Sequence, residues 1–465
     1  MSRQTIRFVA AVLLILAVVS VALVWRNQSS STARRQQLRE VVQQLELQPV
    51  QPPPPQDPAL VALGEALFFE TELSGNRDVS CATCHHPELA LGDGLPLSIG
   101  TGGSGIGPAR EADPERPRVP RNTIALFNSG LPDWDTFFWD GRVQAMAEGG
   151  YATPAGEHLP EGLESALAAQ AMFPVTFRDE MRGGWYDTDA YIVQPGTEVG
   201  RTDSDAAGGW HDVDVFGEPN ELASIANGAQ YMPQIWRGLM ARLLALPQYR
   251  ELFAAAYPDA AQREPTFVHA ANALAAYQSE AFTAVETPWD RFLAGNDEAL
   301  PDDAIAGALL FYGKAGCASC HSGPLLSDQK YHNIGAPQFG PGTDDDAPLD
   351  FGRWRVTGEE AERFAFRTPP LRHVAATGPW LHNGAYDSLE NVIRHHLDPE
   401  EALRAYDGAH LSPALKATVQ NEPVTIEAVL RTLDPALGDE RRLNSQQVGQ
   451  IVSFLEALGD GEFGD

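Results

Sequence analysis

The four cysteines of this 465-residue chain occur in two copies of one short pattern, C-x-x-C-H. The six residues are Cys81, Cys84 and His85 in the first copy, and Cys317, Cys320 and His321 in the second. This pattern is typical of haem c attachment, in which both thiols form thioethers with the haem and the histidine ligates the iron. The sequence therefore predicts two covalently bound haem c groups.

Two other uses of closely spaced cysteines are a redox-active thiol pair and a zinc site. A redox pair does not need the histidine that follows, and it rarely occurs twice in a chain that has no other cysteine. A zinc site shared by all four thiols stays open at this point. It leaves both histidines without a role, however, so haem attachment is the favoured interpretation.

The N-terminal residues have the composition of an export leader or a membrane segment. Arg3 and Arg7 precede an apolar run from Phe8 to Trp25, which is at the lower edge of the length that spans a bilayer. We assign residues 1–30 to a signal peptide or membrane anchor and favour the anchor, because no good cleavage site follows. Residues 31–57 are predicted to form a helical and Pro-rich linker. Because haem c is attached outside the cytoplasmic membrane, a periplasmic or other extracytoplasmic location is expected.

A weak internal repeat leads into both haem motifs. The stretch GEALFFETELSGNRDVSCATCH begins at Gly64, and GALLFYGKAGCASCH begins at Gly307. Each copy is predicted to be a short helix with an aromatic end that runs into the attachment motif. The predicted fold is mainly α, with two cytochrome c-like haem domains and long ordered loops, at residues 58–295 and 296–465.

The formal net charge of the chain is −30 at pH 7. Such a charge argues against nucleic acid or an anionic membrane surface as a partner, so membrane contact is expected through the N-terminal segment only. The same charge either attracts a basic electron-transfer protein or serves solubility alone.

From about Pro58 to Gly459 the sequence resembles the bacterial di-haem cytochrome c peroxidases, a family that includes MauG-type enzymes acting on a partner protein. The resemblance rests on SCATCH, PRNTIALFN, FWDGR, AQAMFPVTFRDEM, GCASCH and FRTPPLRHVAATGPWLHNGAYDSLENVI. It implies that the N-terminal haem is the peroxide site and that the C-terminal haem transfers electrons.

The resemblance also implies roles for residues around the first haem. It makes Trp139 the residue between the two haems and Glu180 the distal acid, with Gln170 and Pro174 at family spacing. A positioned glutamate can move a proton between the two oxygens of peroxide, and partial burial is expected to tune its pKa. The alternative roles are core packing for Trp139 and an exposed helix end for Glu180.

A calcium ion between the domains is a further implication of the resemblance. Its ligands are expected to include Asn122 and the carbonyl groups of Thr377 and Pro379, because a hard cation takes oxygen donors. Ordinary loop hydrogen bonding is the alternative. An insert at residues 143–162, longer than is typical of the family, is expected to shape access to the first haem, with its His158 exposed.

The first departure from the family concerns a removable sixth ligand. Peroxidases of the family that need prior reduction carry a histidine in the loop where this chain has Thr101, a poor ligand for haem iron. His86 lies on the attachment loop and cannot easily reach the opposite haem face. We therefore expect the first iron to be five-coordinate at rest, as in MauG-type members.

The second departure concerns the distal ligand of the C-terminal haem, which is Met or Tyr in the family. No methionine follows Met240, and aligning DSLENVIRHHL on the family pattern puts His396 at that position. A helix places His396 on one apolar face with three residues at i, i+3 and i+4, namely Leu389, Val392 and Ile393, whereas His395 lies off that face.

His396 is therefore predicted to ligate the second haem. A buried histidine bonded to backbone is the alternative role, and Tyr386 and His382 are the other candidate ligands. Two-imidazole ligation is expected to lower the potential of this haem relative to His/Met ligation.

The predicted function is that of an extracytoplasmic di-haem peroxidase-like oxidoreductase. Hydrogen peroxide is its expected oxidant, and electrons come from a small redox protein (cytochrome c or a cupredoxin) or from an oxidised partner protein. MauG-type enzymes have a surface tryptophan where this chain has Ala315, so Tyr312 or Trp380 must replace it in any long-range transfer. The alternative function is a non-enzymatic di-haem electron carrier.

Overall fold

The structure is a computed structural model that describes residues 31–113, 118–184, 213–258, 264–343, 346–437 and 441–460. The predicted leader at residues 1–30 lies outside these ranges. Within them, the structure contains no helix with both the length and the apolar character needed to cross a bilayer.

The described residues are mainly helical and are connected by long ordered loops, as predicted. The helices are α1 (31–44), α2 (Pro58–Phe68), α3 (Cys81–Cys84), α4 (Ala166–Ala171), α5 (Met232–Ala245), α6 (Pro247–Ala256), α7 (Phe267–Ala281), α8 (Pro288–Leu293), α9 (Asp302–Phe311), α10 (Trp354–Thr357), α11 (Leu389–Leu397), α12 (Pro399–Ala405), α13 (Pro413–Lys416), α14 (Pro423–Leu430) and α15 (Ser445–Glu456). The strands are β1 (Thr136–Phe137), β2 (Val143–Ala145), β3 (Tyr151–Ala152), β4 (Tyr331–His332) and β5 (Phe366–Arg367).

The strands form two small antiparallel sheets. The first has the order β1-β2-β3, with Phe137 opposite Val143 and Ala145 opposite Tyr151. The insert at residues 143–162 therefore forms a hairpin beside the first haem motif's domain. The second sheet pairs β4 with β5, with His332 opposite Phe366.

Local sequence explains where several helices begin. Asp57 accepts hydrogen bonds from the backbone amides of Ala59 and Leu60, and Pro58 occupies the first turn of α2, where its missing N–H costs nothing. At α15, Asn444 and Gln447 cap one another's backbone amides reciprocally.

Both copies of the internal repeat make the same kind of helix crossing. A Cβ atom on Gly64 would lie 1.9 Å from the carbonyl oxygen of Ala273 in α7, and one on Gly307 would lie 1.8 Å from that of Gln450 in α15. Only glycine therefore allows α2 to meet α7, and α9 to meet α15, at this distance. Each crossing helix then leads into a C-x-x-C-H motif.

Two large buried apolar clusters lie around these crossings. The first draws on α2, α4, α5, α6 and α7, and the second on α1, α8, α9, α11 and α15. Trp289 and Phe292 of α8 pack in the second cluster, although the predicted domain limit at 295/296 places them in the first domain. The limit itself stays a prediction.

The predicted linker helix packs on the second cluster. Leu38 and Val42 of α1 are buried there, and Arg35 forms an ion pair of 3.1 Å with Asp302. The backbone amide of Val50 donates to Asp290 at 3.1 Å. The helix α1 is therefore held against the second cluster, whereas Val50 packs in the first.

A buried group of ion pairs joins the predicted N-terminal and C-terminal haem domains. Arg121 forms a bidentate ion pair with Asp350, with hydrogen bonds of 2.7 and 2.9 Å, and a second ion pair with Asp140 at 2.6 Å. Breaking such a buried group by removing one partner typically costs about 3–5 kcal/mol, because the remaining charge stays buried. Arg121 is therefore placed to hold the two cavities described below in a fixed relation.

Candidate active site

Each C-x-x-C-H motif lies in the wall of its own cavity. Cys81, Cys84 and His85 line the first cavity, and Cys317, Cys320 and His321 line the second. The four cysteines are unpaired, and among the described residues the one His/Cys/Asp/Glu cluster close enough to hold a metal ion is Cys320, Asp328 and His332. The four thiols therefore do not converge on a shared zinc site.

Cys81 and Cys317 are also unsuited to act in a redox-active pair. Burial raises the pKa of Cys81 to about 12 and that of Cys317 to about 11. Redox-active pairs need a lowered thiol pKa, because the thiolate is the reacting form. Both cavities instead offer what haem c needs: two adjacent thiols, one histidine and apolar walls.

Three histidines share one hydrogen-bonding arrangement. The Nδ1 atoms of His85, His321 and His396 lie 3.2, 3.0 and 2.8 Å from the carbonyl oxygens of Leu91, Leu326 and Val392. A carbonyl can only accept, so each Nδ1 carries the proton, and in His321 and His396 the Nε2 is left as a lone-pair donor for a metal. His85 also interacts with the backbone carbonyl of Ile124. Burial also lowers the pKa of His85 and His321 to about 4, which keeps both imidazoles neutral.

His396 faces His321 across the second cavity. Both residues line this cavity. The three other residues of the predicted apolar face of α11 also line it: Leu389, Val392 and Ile393. The imidazole centres of His321 and His396 are 6.5 Å apart. Two imidazoles on opposite sides of one metal ion are expected to have centres about 6 Å apart, given metal–nitrogen bonds of about 2 Å. The pair therefore fits a haem iron held from both sides.

His395 has a different environment, although it follows on the same helix and is fully buried. Its Nε2 lies 2.8 Å from the carbonyl oxygen of Ile334 and must donate to it. Its Nδ1, 2.9 Å from the hydroxyl of Tyr386, must then accept the hydroxyl hydrogen. Both nitrogens of His395 are occupied, so it has no atom left for a metal.

The two other candidate ligands are less well placed. Tyr386 is engaged with His395 and is not among the residues that line the second cavity. His382 does line it, but its ring stacks flat on Phe366, with ring centres 3.5 Å apart and planes 10° apart.

The first cavity brings together the residues predicted to act on peroxide. Gln170, Pro174 and Glu180 all line it, and His85 is the one imidazole among its described lining residues. Glu180 lies in a short π-helix, Arg178–Arg182, an irregular element frequent at functional sites. Burial, reinforced by the charge of Asp179, raises the pKa of Glu180 to about 8. Its carboxyl group is therefore mostly protonated at neutral pH.

Thr101 is held away from the first cavity, whereas Ser98 of the same loop lines it. Thr101 is not among the lining residues; its hydroxyl donates to Asp78 at 2.8 Å, and its amide donates to the carbonyl oxygen of Glu180 at 2.9 Å. The buried side chain of Arg110 donates to the carbonyl oxygens of Ile99 and Gly100, both at 2.7 Å. Thr101 thus supports the backbone of Glu180 and does not enter the cavity.

Trp139 lies in the wall that separates the two cavities. It is 9% exposed, it lines both cavities, and its indole N–H donates to the carbonyl oxygen of Asn122 at 2.9 Å. Asn122, Thr377 and Pro379, the expected calcium ligands, all line the second cavity. Packing and electron relay are therefore both compatible with the position of Trp139.

Other residues singled out in the sequence have clear positions. Ala315 is 1% exposed and lines the second cavity, so a tryptophan at this place would not reach the surface without rearrangement. Trp380 lines the same cavity and donates to the carbonyl oxygen of Val374, while Tyr312 stacks on Trp289. The His86 ring accepts from the amide of Glu88 on the attachment loop.

Sequence reasoning missed two arginines of the cavity walls. Arg142 lines the first cavity beside Glu180, and Arg367 lines both cavities. Arg142 is the last residue of the motif FWDGR, and Arg367 is the second residue of the segment FRTPPLR. A usable cue existed for Arg367: no acidic residue occurs within four positions of it on either side.

The chain is similar in sequence to known di-haem proteins. The chain matches the family described as di-haem cytochrome c peroxidase over residues 58–201 and 211–298. It is 31% identical over 345 residues to the methylamine utilization protein MauG of Methylorubrum extorquens, which covers 74% of this chain and 70% of that protein. It is 26% identical to the cytochrome c551 peroxidase of Pseudomonas aeruginosa, over 71% of this chain and 69% of that protein.

Solved structures show the same fold. A MauG-like protein associated with microbial copper homeostasis is similar with a TM-score of 0.55 and 22% identity, over 89% of this chain and 94% of its own. The diheme peroxidase BthA of Burkholderia thailandensis is similar with a TM-score of 0.54 and 18% identity, over 88% and 87%. The chain belongs to the di-haem cytochrome c peroxidase family, and it is a peroxidase-like oxidoreductase for which haem c is the implied cofactor.

Proposed function

We propose that the chain is an extracytoplasmic enzyme that cleaves hydrogen peroxide in its first cavity and draws electrons through its second. The observation that carries this proposal is the first cavity itself, which combines one imidazole with a carboxyl group of raised pKa. Haem iron, when bound there by His85, supplies the redox chemistry of O–O cleavage. The family relationship supports the same reaction class.

Glu180 is proposed to handle the proton of this reaction. With a haem held there by His85 to supply the two electrons, one oxygen of peroxide would lose its proton and the other would gain one and leave as water. A carboxyl group with a pKa raised to about 8 can deliver a proton at neutral pH and take one back. Gln170 and Pro174 complete the wall around it and limit the water that enters.

The electrons are proposed to pass between the two cavities by way of Trp139, which lies in both walls. His321 and His396 are the proposed ligands on either side of the second haem. The electron source is a small redox protein, such as cytochrome c or a cupredoxin, or an oxidised partner protein. Because the side chain of Ala315 cannot relay an electron, the partner-protein route needs another aromatic residue, such as the half-buried Trp380 or Tyr312.

We expect the fully oxidised protein to react with hydrogen peroxide without prior reduction. Thr101 is hydrogen-bonded to Asp78 outside the cavity, so its side chain does not have to leave the iron first. Stopped-flow mixing with one equivalent of peroxide should change the Soret bands of both haems.

The resting absorption spectrum provides the control for this experiment. A high-spin ferric component is expected from the first haem, whereas a non-enzymatic di-haem carrier would show low-spin iron at both sites. An oxidised protein that stays inert until it receives one electron would show that an unrecognised sixth ligand occupies the first haem.

A calcium ion at Asn122, Thr377 and Pro379 remains part of the proposal. The backbone oxygen of Asn122 accepts from Trp139, and its side-chain oxygen accepts no hydrogen bond from the described residues, which leaves that oxygen for a hard cation. Metal analysis before and after chelation should show about one calcium per chain, with changed low-spin signals after its removal. Purified protein without calcium above background would rule out this site.

A further inference from the structure

Arg367 is a buried cation without a carboxylate partner. It is 1% exposed, and no ion pair to it occurs among the described residues. Its Nε–H donates to the carbonyl oxygen of Phe138 at 3.1 Å, and its guanidinium carbon lies 5.3 Å from the ring centre of Trp134. The terminal nitrogen Nη1 is buried and has no hydrogen-bond partner.

The two other buried arginines that line the cavities are neutralised by carboxylates, and buried Arg110 donates to three backbone carbonyl oxygens instead. Arg121 pairs with Asp140 and Asp350, and Arg372 pairs with Asp290 at 2.5 Å. A buried unpaired guanidinium is strongly unfavourable, because burial removes water without a compensating charge. Burial lowers the pKa of Arg367 to about 10, so the side chain still carries its charge at neutral pH. The missing anion is therefore expected to come from a ligand.

The position of Arg367 indicates which ligand this is. Its side chain lines both cavities, as Trp139 does, and its backbone amide donates to the carbonyl oxygen of Trp139 at 2.7 Å. Carboxylates are the anionic groups of haem c, and guanidinium groups bind carboxylates through short charge-assisted hydrogen bonds. We propose that Arg367 binds a haem carboxylate from each cavity and thereby links the reduction potentials of the two haems.

This inference requires haem in both cavities, but it does not depend on the peroxide reaction. A cation held against the carboxylates of both haems favours the ferrous state of each iron, because reduction adds one negative charge. Removal of that cation should therefore lower both potentials together.

Spectroelectrochemical titration of the purified di-haem protein tests the inference. In Arg367→Gln, the reduction equilibrium of each haem should shift about tenfold toward the ferric state, which is about 59 mV for a one-electron couple. In Arg367→Lys, which keeps the charge, both equilibria should stay within about threefold of the wild type. If Gln and Lys variants behave alike, Arg367 only supports the carbonyl group of Phe138, and the proposal is wrong.

Arg353 offers a matched control. The side chain of Arg353 donates to the carbonyl oxygens of Asp140 and Gly141, both at 2.9 Å. Unlike Arg367, it lines neither cavity. Arg353→Gln should leave both potentials nearly unchanged. A shift at one haem alone in Arg367→Gln would overturn the shared role.

If the Arg367→Gln variant does not fold with both haems attached, the proposal can be tested on the wild-type protein. Exchange into D₂O should shift the propionate-bending modes of both haems in resonance Raman spectra, because the N–H donors of Arg367 exchange. Modes that do not respond at either haem would contradict the proposal. None of these measurements requires peroxide activity, so a failure of the proposed reaction would be distinguishable.

Discussion

Replacement of Glu180 with glutamine is expected to slow the reaction of the oxidised protein with peroxide by about 10²–10⁴-fold, the usual contribution of a positioned acid–base group. Glutamine keeps the shape of the side chain and its place in the wall of the first cavity, but it cannot exchange a proton. The measurement is the second-order rate of the Soret change in stopped-flow mixing.

The pH dependence of that rate gives a second readout of Glu180. Burial raises the pKa of this carboxyl group to about 8, so the protonated form dominates below that pH and is lost above it. The wild-type rate should therefore fall as the pH rises through about 8, and the glutamine variant should lack this decrease.

Asp179 provides a control on the same π-helix. Its charge contributes to the raised pKa of Glu180, yet Asp179 does not line the first cavity. Asp179→Asn should keep the rate at neutral pH within a few-fold of the wild type and move the decrease to lower pH. A glutamine variant at position 180 that reacts as fast as the wild type would remove Glu180 from the mechanism.

Replacement of His396 with alanine is expected to convert the second haem from low-spin to high-spin. Loss of the imidazole that faces His321 at 6.5 Å between ring centres leaves one axial ligand, and a single imidazole does not hold ferric haem in the low-spin state. Electron paramagnetic resonance of the oxidised protein measures the change directly, and added imidazole should restore the low-spin signal.

His395→Ala is the control for this prediction. His395 lies on the same helix, but its two nitrogens are committed to Tyr386 and Ile334. Its loss is expected to cost about 1–3 kcal/mol of folding free energy, because the carbonyl of Ile334 is left unpaired, while the second haem stays low-spin. The reverse pattern, with a high-spin haem in the His395 variant alone, would disprove the assignment.

The two departures from the family together define the expected behaviour of this chain. The hydroxyl of Thr101 donates to Asp78 and its amide donates to the carbonyl oxygen of Glu180, so we expect the first haem to need no rearrangement before it meets peroxide. Ligation of the second haem by His321 and His396 would lower its potential relative to His/Met ligation. Such a haem is less readily reduced by ordinary cytochrome c and more easily oxidised beyond the ferric state, which favours a partner-protein route.

Contiguous features could be predicted from the sequence because neighbouring residues determine them. The attachment motifs at Cys81–His85 and Cys317–His321 are short and chemically specific, and they line two cavities. The apolar helix face that ends at His396 follows from the helical period of 3.6 residues, and it can be predicted without knowing which residues pack against it. The same locality explains why the predicted repeat reappears as two glycine crossings, at Gly64 and Gly307.

Only the tertiary structure decided how distant residues meet. The positions of the Nδ1 protons of His85 and His321 depend on carbonyl oxygens in the loops that follow the attachment motifs. The raised pKa of Glu180 depends on burial by segments far apart in the chain. Arg367 became informative only when the fold placed it between two cavities without an anion, because the cost of a buried charge depends on its surroundings and not on its neighbours in sequence.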